Sequence, residues 1–249
     1  MRIAEAAVQR GKRLVPERLK RKIKLALGVP DMEASLLNMK RNGFSPAKII
    51  DVGAYIGDWT RMCQRLFPYA RVLMIEPQDR FREVLRKMAG ADAHLQFSPV
   101  LVGQAVQAAV PFYVADTASS IFRESEKSAC ATASVPMTTI DEVTAGTEFR
   151  TAEFMKLDVQ GAELLVLEGA SQTLQSIEAV LMEVNLLEIY SGVPLFDQTV
   201  AFMAGRGFRV YDLCSFMRRP LDNALWQADV IFVRASSPLL RSKSWGGHA

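Results

Sequence analysis

The residues best able to do chemistry in this chain are Asp51, Gly53, Glu76, Asp158, Glu183 and Asn185. Asp51 ends an apolar run, Lys48-Ile49-Ile50-Asp51, and leads into a glycine turn, Gly53-Ala54-Tyr55-Ile56-Gly57. A second apolar run, Val72-Leu73-Met74-Ile75, also ends in an acid, Glu76. Strand, glycine turn, helix, strand, acid is the layout of a nucleotide-binding βαβ unit. The glycines let backbone approach a ligand, and the acid can accept both hydroxyl protons of a ribose. The dinucleotide fingerprint G-x-G-x-x-G lacks its second glycine here, where Tyr55 stands. Asp51 would repel a pyrophosphate but suits an ammonium or sulfonium. The turn therefore favours S-adenosylmethionine (SAM) over a nicotinamide dinucleotide. The competing structural reading has Asp51 cap the turn and Glu76 cap the next helix.

Asp158, Glu183 and Asn185 end two later apolar runs, 153–158 and 178–184 with its flank. In an open α/β sheet, ligands bind beyond the carboxyl ends of the strands, at the switch in strand order. That rule gathers these residues beside Asp51, Gly53 and Glu76. Asp158 opens onto the expected cleft and reads as a proton acceptor, with Glu183 as its catalytic companion. Glu163 falls in the first turn of a helix, where the dipole favours negative charge. Tyr55 either packs on the cofactor or covers the turn. Lys156 lies inside a strand and reads as paired or snorkelling, without a role as base. His94 reads as a surface residue. Ser119-Ser120 faces substrate or belongs to a linker.

The elements that must position these groups alternate regularly. Expected strands cover 48–53, 71–76, 94–102, 153–158, 178–184, 208–213 and 228–233, and expected helices cover 58–67, 79–89, 162–174 and 197–205. Near-continuous apolar runs suit strands buried on both faces. The last two strands, joined by a loop, read as a hairpin. The expected fold is α/β: a doubly wound, mostly parallel seven-stranded sheet, Rossmann-like, with an antiparallel last strand. Residues 104–139 break the rhythm and read as a small β insertion near the site, with short strands at 110–114 and 135–138. The expected organisation is a basic helical extension over 1–43, a ligand-binding domain over 44–235 and a flexible tail over 236–249.

Composition narrows the classes. The chain has 249 residues and 49% apolar content, enough for one large domain. No run approaches the roughly 20 apolar residues needed to cross a bilayer. The charged N-terminus lacks the apolar core of a signal peptide. Cys63, Cys130 and Cys214 stand far apart, without a zinc or disulfide pattern, so a reducing cytoplasmic setting is expected. With two histidines, His94 and His248, neither a His-ligated metal nor a Ser-His-Asp triad is supported. Residues 1–24 hold nine basic and two acidic side chains, while the whole chain is +3. Leu19, Ile23, Ala26 and Leu27 form one apolar stripe beside that charge. A basic amphipathic helix in 1–28 could touch an anionic membrane. The short stripe favours a helix packed on the domain with its charges in water. No nucleic acid is expected as a partner, and the sequence does not specify an oligomeric state.

Several blocks in order resemble the FkbM-type methyltransferases. They are Asp51-Val52-Gly53-Ala54-x-x-Gly57, Ile75-Glu76-Pro77, Val135-Pro136-x-x-Thr139-Ile140-Asp141 and Lys156-Leu157-Asp158-Val159-Gln160-Gly161-Ala162-Glu163. Leu181-Met182-Glu183-Val184 and Gln227 to Val233 continue the resemblance. It implies a class I, SAM-dependent methyltransferase that methylates a hydroxyl of a sugar, glycan or natural product. It implies cofactor contacts from Asp51, Gly53, Ala54, Tyr55, Gly57 and Glu76. Tyr55 departs from the asparagine common in the family. Asp158, Glu183 and Asn185 are also placed like the metal ligands of catechol-type O-methyltransferases, and hard oxygen donors suit Mg²⁺. A nicotinamide-dependent oxidoreductase is the alternative reading.

Overall fold

The central strands are apolar on both faces because helices cover both. The computed structural model describes residues 29–114, 120–122, 131–188 and 191–246. The expected amphipathic helix within 1–28 lies outside them, as does Ser119. Strands β1 (Lys48–Val52), β2 (Arg71–Ile75), β3 (Leu95–Ser98), β7 (Phe154–Leu157), β8 (Ala179–Asn185), β9 (Phe208–Arg218) and β10 (Leu225–Arg234) form one sheet. Its order is β3-β2-β1-β7-β8-β10-β9. The pairs β1–β2, β1–β7, β2–β3 and β7–β8 are parallel, whereas β10 runs antiparallel to both β8 and β9. The expected seven-stranded sheet with an antiparallel terminal hairpin is thus present. Strand order reverses beside β1, which places the switch point at the end of β1 and β7.

Residue parity divides the core. Ile50, Val52, Ile75, Leu157, Met182 and Phe232 belong to one apolar cluster. Ile49, Val72, Met74, Phe154, Leu181 and Ile231 belong to the other, together with helices α1 (Met32–Arg41) and α2 (Asp58–Leu66). Helix α2 turns Thr60, Cys63 and Leu66 inward at three-residue spacing. Helix α1 starts at Asp31, whose side chain caps the Ala34 N–H at 2.9 Å. Its Leu36 and Met39 are fully buried in the second cluster. Helix α1 thus packs into the same core as the sheet. The segment after β10 also makes contacts with the domain. Ala235 N–H donates to Gly207 O at 2.8 Å, residues 238–240 form a 3₁₀ turn, and Leu239 and Leu240 pack on the second cluster.

Three local expectations needed revision. The run 94–102 is split at Pro99, which has no N–H for a ladder. Its second part, β4 (Leu101–Val102), joins a separate sheet of order β4-β6-β5 with β5 (Gln107–Val114) and β6 (Ala131–Thr138). The insertion is therefore a small sheet with longer strands than expected. After α4 (Ile140–Thr144), the helix expected over 162–174 is α5 (Glu163–Glu168), then a turn, then a 3₁₀ segment, Thr173–Gln175. Asp141 causes the break: its carboxylate accepts the N–H groups of Gln172 at 2.9 Å and Thr173 at 2.8 Å. Gly169 allows it, because a Cβ there would meet Gly103 O at 2.1 Å. No helix among the described residues is long and apolar enough to cross a membrane.

Candidate active site

On the face of the second cluster, the strands change from apolar to polar at their carboxyl ends. Ile49 is followed two residues on by Asp51, Phe154 by Lys156, and Leu181 by Glu183 and Asn185. Register aligns the band across strands: Asp51 with Lys156, Asp229 with Glu183, and Gln227 with Asn185. Lys156 Nζ donates to Gly53 O at 2.8 Å and lies 3.3 Å from Asp51 Oδ1 and 3.5 Å from Asp158 Oδ2. Gln160 Nε2 donates to Asp158 Oδ1 at 2.9 Å and to Glu183 Oε1 at 3.2 Å. Gln227 Nε2 continues the chain to Glu183 Oε1 at 2.7 Å and Asn185 Oδ1 at 3.1 Å. Ser215 Oγ bonds Asp229 beside it. One hydrogen-bonded band thus joins the glycine turn to the far side of the cleft.

Asp51 lies inside the carboxyl end of the central strand β1, beneath the turn. It is fully buried, and its Oδ2 accepts the Thr60 hydroxyl at 2.6 Å. The glycines of the turn are also constrained by the protein around them. Gly53 has φ +75, and a Cβ there would strike Asp158 O at 2.0 Å. Gly57 has φ +83, and its Cβ would meet Met88 Sδ at 2.6 Å, in helix α3 (Asp79–Ala91). Both are thus demanded by left-handed backbone and by packing against the protein itself. Ala54 is buried in the second cluster. Tyr55 adopts φ 51 without being glycine, and its ring packs against Phe81, with centroids 4.4 Å apart. Tyr55 thereby covers the turn.

Glu76 closes the turn from β2. Its Oε2 accepts the Tyr55 N–H and its Oε1 the Gln78 N–H, each at 3.0 Å. Each oxygen keeps a second acceptor position, which matches the two hydroxyls of a ribose. Burial raises the Glu76 pKa, and the N–H groups of Gln78 and Tyr55 pull the other way.

Asp158 is the open member of the band, its side chain 44% exposed. The turn beneath it is held from the insertion. Ser120 Oγ donates to Gln160 O at 2.7 Å, and Gln160 takes φ 55. Ser120 is buried, which corrects the reading of it as substrate-facing or linker. Val193 and Phe122 close over Gly161, where a Cβ would lie 2.5 and 3.6 Å from them. Burial, then Asp158, Glu163 and Asp229, push Glu183 well above the ordinary carboxylate range. Asp229 is raised first by burial, against the hydrogen bond from Ser215. In Lys156 burial opposes the charge, but Asp51 and Asp158 outweigh it and raise its pKa.

Glu163 does more than favour a helix dipole. Its Oε1 accepts the Val159 N–H at 3.0 Å and the Gly161 N–H at 3.2 Å. Burial pushes its pKa from 4.5 up to about 7. The folded state therefore holds this proton more tightly than the open chain. The stabilisation is complete below pH 4.5 and is lost as pH rises to about 7. The loss is about 3 kcal/mol. Glu163→Gln keeps an acceptor for both N–H groups and has no proton to lose. In urea titrations the variant should match wild type near pH 4 and exceed its stability by about 3 kcal/mol near pH 8. An unchanged difference between those pH values would contradict this assignment.

The residues do not fit a Mg²⁺ centre. Asn185 Oδ1 and Glu183 Oε1 are taken by amide donors, and Asp158 faces Lys156. Among the described residues, no group of three or more His, Cys, Asp or Glu side chains could hold a metal ion.

Sequence reasoning found the acids but missed their connectors. Thr60, Gln160, Ser215, Gln227 and Asp229 carry no individual signal there, while Lys156, read as paired or snorkelling, is paired with Asp51 and Asp158. One signal was available: Gln227 and Asp229 are polar at two-residue spacing where the strand should turn apolar.

The strand order, with acids ending β1 and β2 at the switch point, defines the class I methyltransferase fold. The Methyltransferase FkbM domain matches residues 51–210. The chain belongs to the FkbM methyltransferase family, and its methyl donor is SAM. Among solved structures it is similar to precorrin-6y C5,15-methyltransferase of Geobacter metallireducens GS-15. The TM-score is 0.47 at 10% identity, covering 82% of this chain and 87% of that one. It is also similar to magnesium protoporphyrin IX methyltransferase of Synechocystis PCC 6803. There the TM-score is 0.46 at 10% identity, covering 81% of this chain and 76% of that one. No curated protein matches the sequence. The nicotinamide-dependent alternative is not favoured.

Proposed function

We propose that this methyltransferase methylates a hydroxyl group, on a sugar, glycan or natural-product acceptor. The observation that carries the reading is the Asp158 carboxylate, exposed at the carboxyl edge and gripped on one oxygen by Gln160 and near the other by Lys156. A hydroxyl loses its proton as it is methylated, and a fixed carboxylate at the open edge is placed to receive it. Glu183 supports Asp158 through the shared Gln160 amide. Family membership supports the same reading.

SAM, when bound, supplies an electrophilic methyl on a sulfonium. Glu76 would hold its ribose, the segment Gly53 to Gly57 would line its methionine end, and Asp51 would act beneath that turn through Lys156. The chain's own tasks are alignment, exclusion of water and acceptance of the proton. The insertion, anchored by Ser120, and the segment carrying Val193 border the acceptor side. The proposed acceptor is a free or glycan-bound hydroxyl, the proposed setting is the cytoplasm, and nucleic acid is not among the proposed partners.

The test is a SAM-consumption screen against nucleotide sugars, lipid-linked glycans and small alcohols, with mass spectrometry of the product. A methyl ether is the expected product. A methyl on nitrogen or carbon would overturn the reading.

A further inference from the structure

Lys156 carries a charge for which proton acceptance at Asp158 gives no complete account. It is 6% exposed, on a strand whose other side chains are apolar. Its neighbours differ. Asp51 is fully buried, with Oδ2 taken by Thr60 and Oδ1 without a hydrogen-bond donor, so the ammonium 3.3 Å away is its counter-charge. Asp158 is partly open and lies 3.5 Å from the same ammonium. One positive charge thus faces two carboxylates. Burial draws Glu183 and Asp229 towards the neutral form, so the smallest count of the band is still one negative charge, on the open side.

We propose that Lys156 sets the net charge of the cofactor site, which biases it towards the sulfonium of SAM over the neutral thioether of S-adenosylhomocysteine. Methyl transfer removes the cofactor's sulfonium charge, so a net anionic band loses attraction for the product once the reaction is done. Lys156 limits that bias, since without it the site would hold the cation more strongly and Asp51 would stand uncompensated. The same ammonium fixes Gly53 O, which places the charge at the root of the glycine turn. The inference rests on SAM as methyl donor and needs neither a hydroxyl acceptor nor Asp158 as base. A failed acceptor screen therefore leaves it standing.

Isothermal titration with SAM and with S-adenosylhomocysteine reads it directly, as the ratio of the two dissociation constants in each protein. Asp158→Asn and Asp51→Asn each remove a negative charge and should shift the ratio about fivefold towards S-adenosylhomocysteine. Asp51→Asn with Lys156→Met removes one charge of each sign and should return the ratio to within about twofold of wild type. Removing both partners also avoids an unpaired buried charge. Asp51→Asn with Lys156→Gln reads the same charge while keeping a donor for Gly53, should the methionine variant fold poorly. An unchanged ratio in both single variants overturns the proposal. So does a double variant whose ratio stays with that of Asp51→Asn.

Discussion

Replacing Asp158 with Asn is expected to lower turnover at least about a hundredfold, the smaller end of what a positioned proton acceptor contributes. The SAM dissociation constant should rise no more than about tenfold. The asymmetry follows from where the side chain sits. Asp158 lies at the open edge, and asparagine keeps an oxygen for the Gln160 amide at the same place. The substitution removes the proton acceptor and leaves the frame. Initial rates with the acceptor identified by the screen, together with SAM titration, separate the two effects. Wild-type turnover in the variant would remove Asp158 from the chemistry, while an equal loss in both quantities would make its role structural.

Gly53→Ala should be the more damaging change to the fold. Its Cβ would stand 2.0 Å from Asp158 O and 3.0 Å from Asp158 C, at φ +75. Neither atom belongs to a side chain that can swing away. The Asp158 backbone is tied to β1 by its N–H on Val52 O at 3.1 Å, and Gly53 O is held by Lys156 at 2.8 Å. Relief therefore requires β1 and the β7 turn to separate, which breaks the polar band at its root. A loss of at least about 4 kcal/mol is expected, with SAM binding abolished. Gly146→Ala is the internal comparison. Gly146 also has positive φ, +69, but its Cβ would meet nothing within 4 Å. It should cost about 1–2 kcal/mol from backbone conformation alone. Similar losses at the two glycines, read by urea titration, would contradict the close-contact explanation.

The sheet was legible in the sequence because its central strands are buried on both sides. Ile49-Ile50, Val72-Leu73-Met74-Ile75 and Val180-Leu181-Met182 have apolar residues at both parities, a signal that needs no knowledge of neighbours. The acids at the strand ends were legible for the same reason: each interrupts such a run. What failed was non-local. Helix α5 stops because Asp141, distant in sequence, takes the N–H groups of Gln172 and Thr173. Gly53 reads as a ligand-approach glycine, and its second constraint, Asp158 O where its Cβ would be, comes from a strand distant in sequence. Ser120 reads as linker until the insertion folds back onto Gln160. Lys156 reads as paired or snorkelling, and its partner comes from register, which sets it opposite Asp51. Hydrophobic pattern determines which residues face inward. It does not tell which polar side chains meet across strands.

The central claim is that the turn from Gly53 to Gly57, closed by Glu76, holds SAM. Isothermal titration of the full chain with SAM and, separately, with a nicotinamide dinucleotide tests it most directly. Saturable binding of SAM, lost in Glu76→Ala and absent with the dinucleotide, is the predicted result. Binding of the dinucleotide with none of SAM would contradict it.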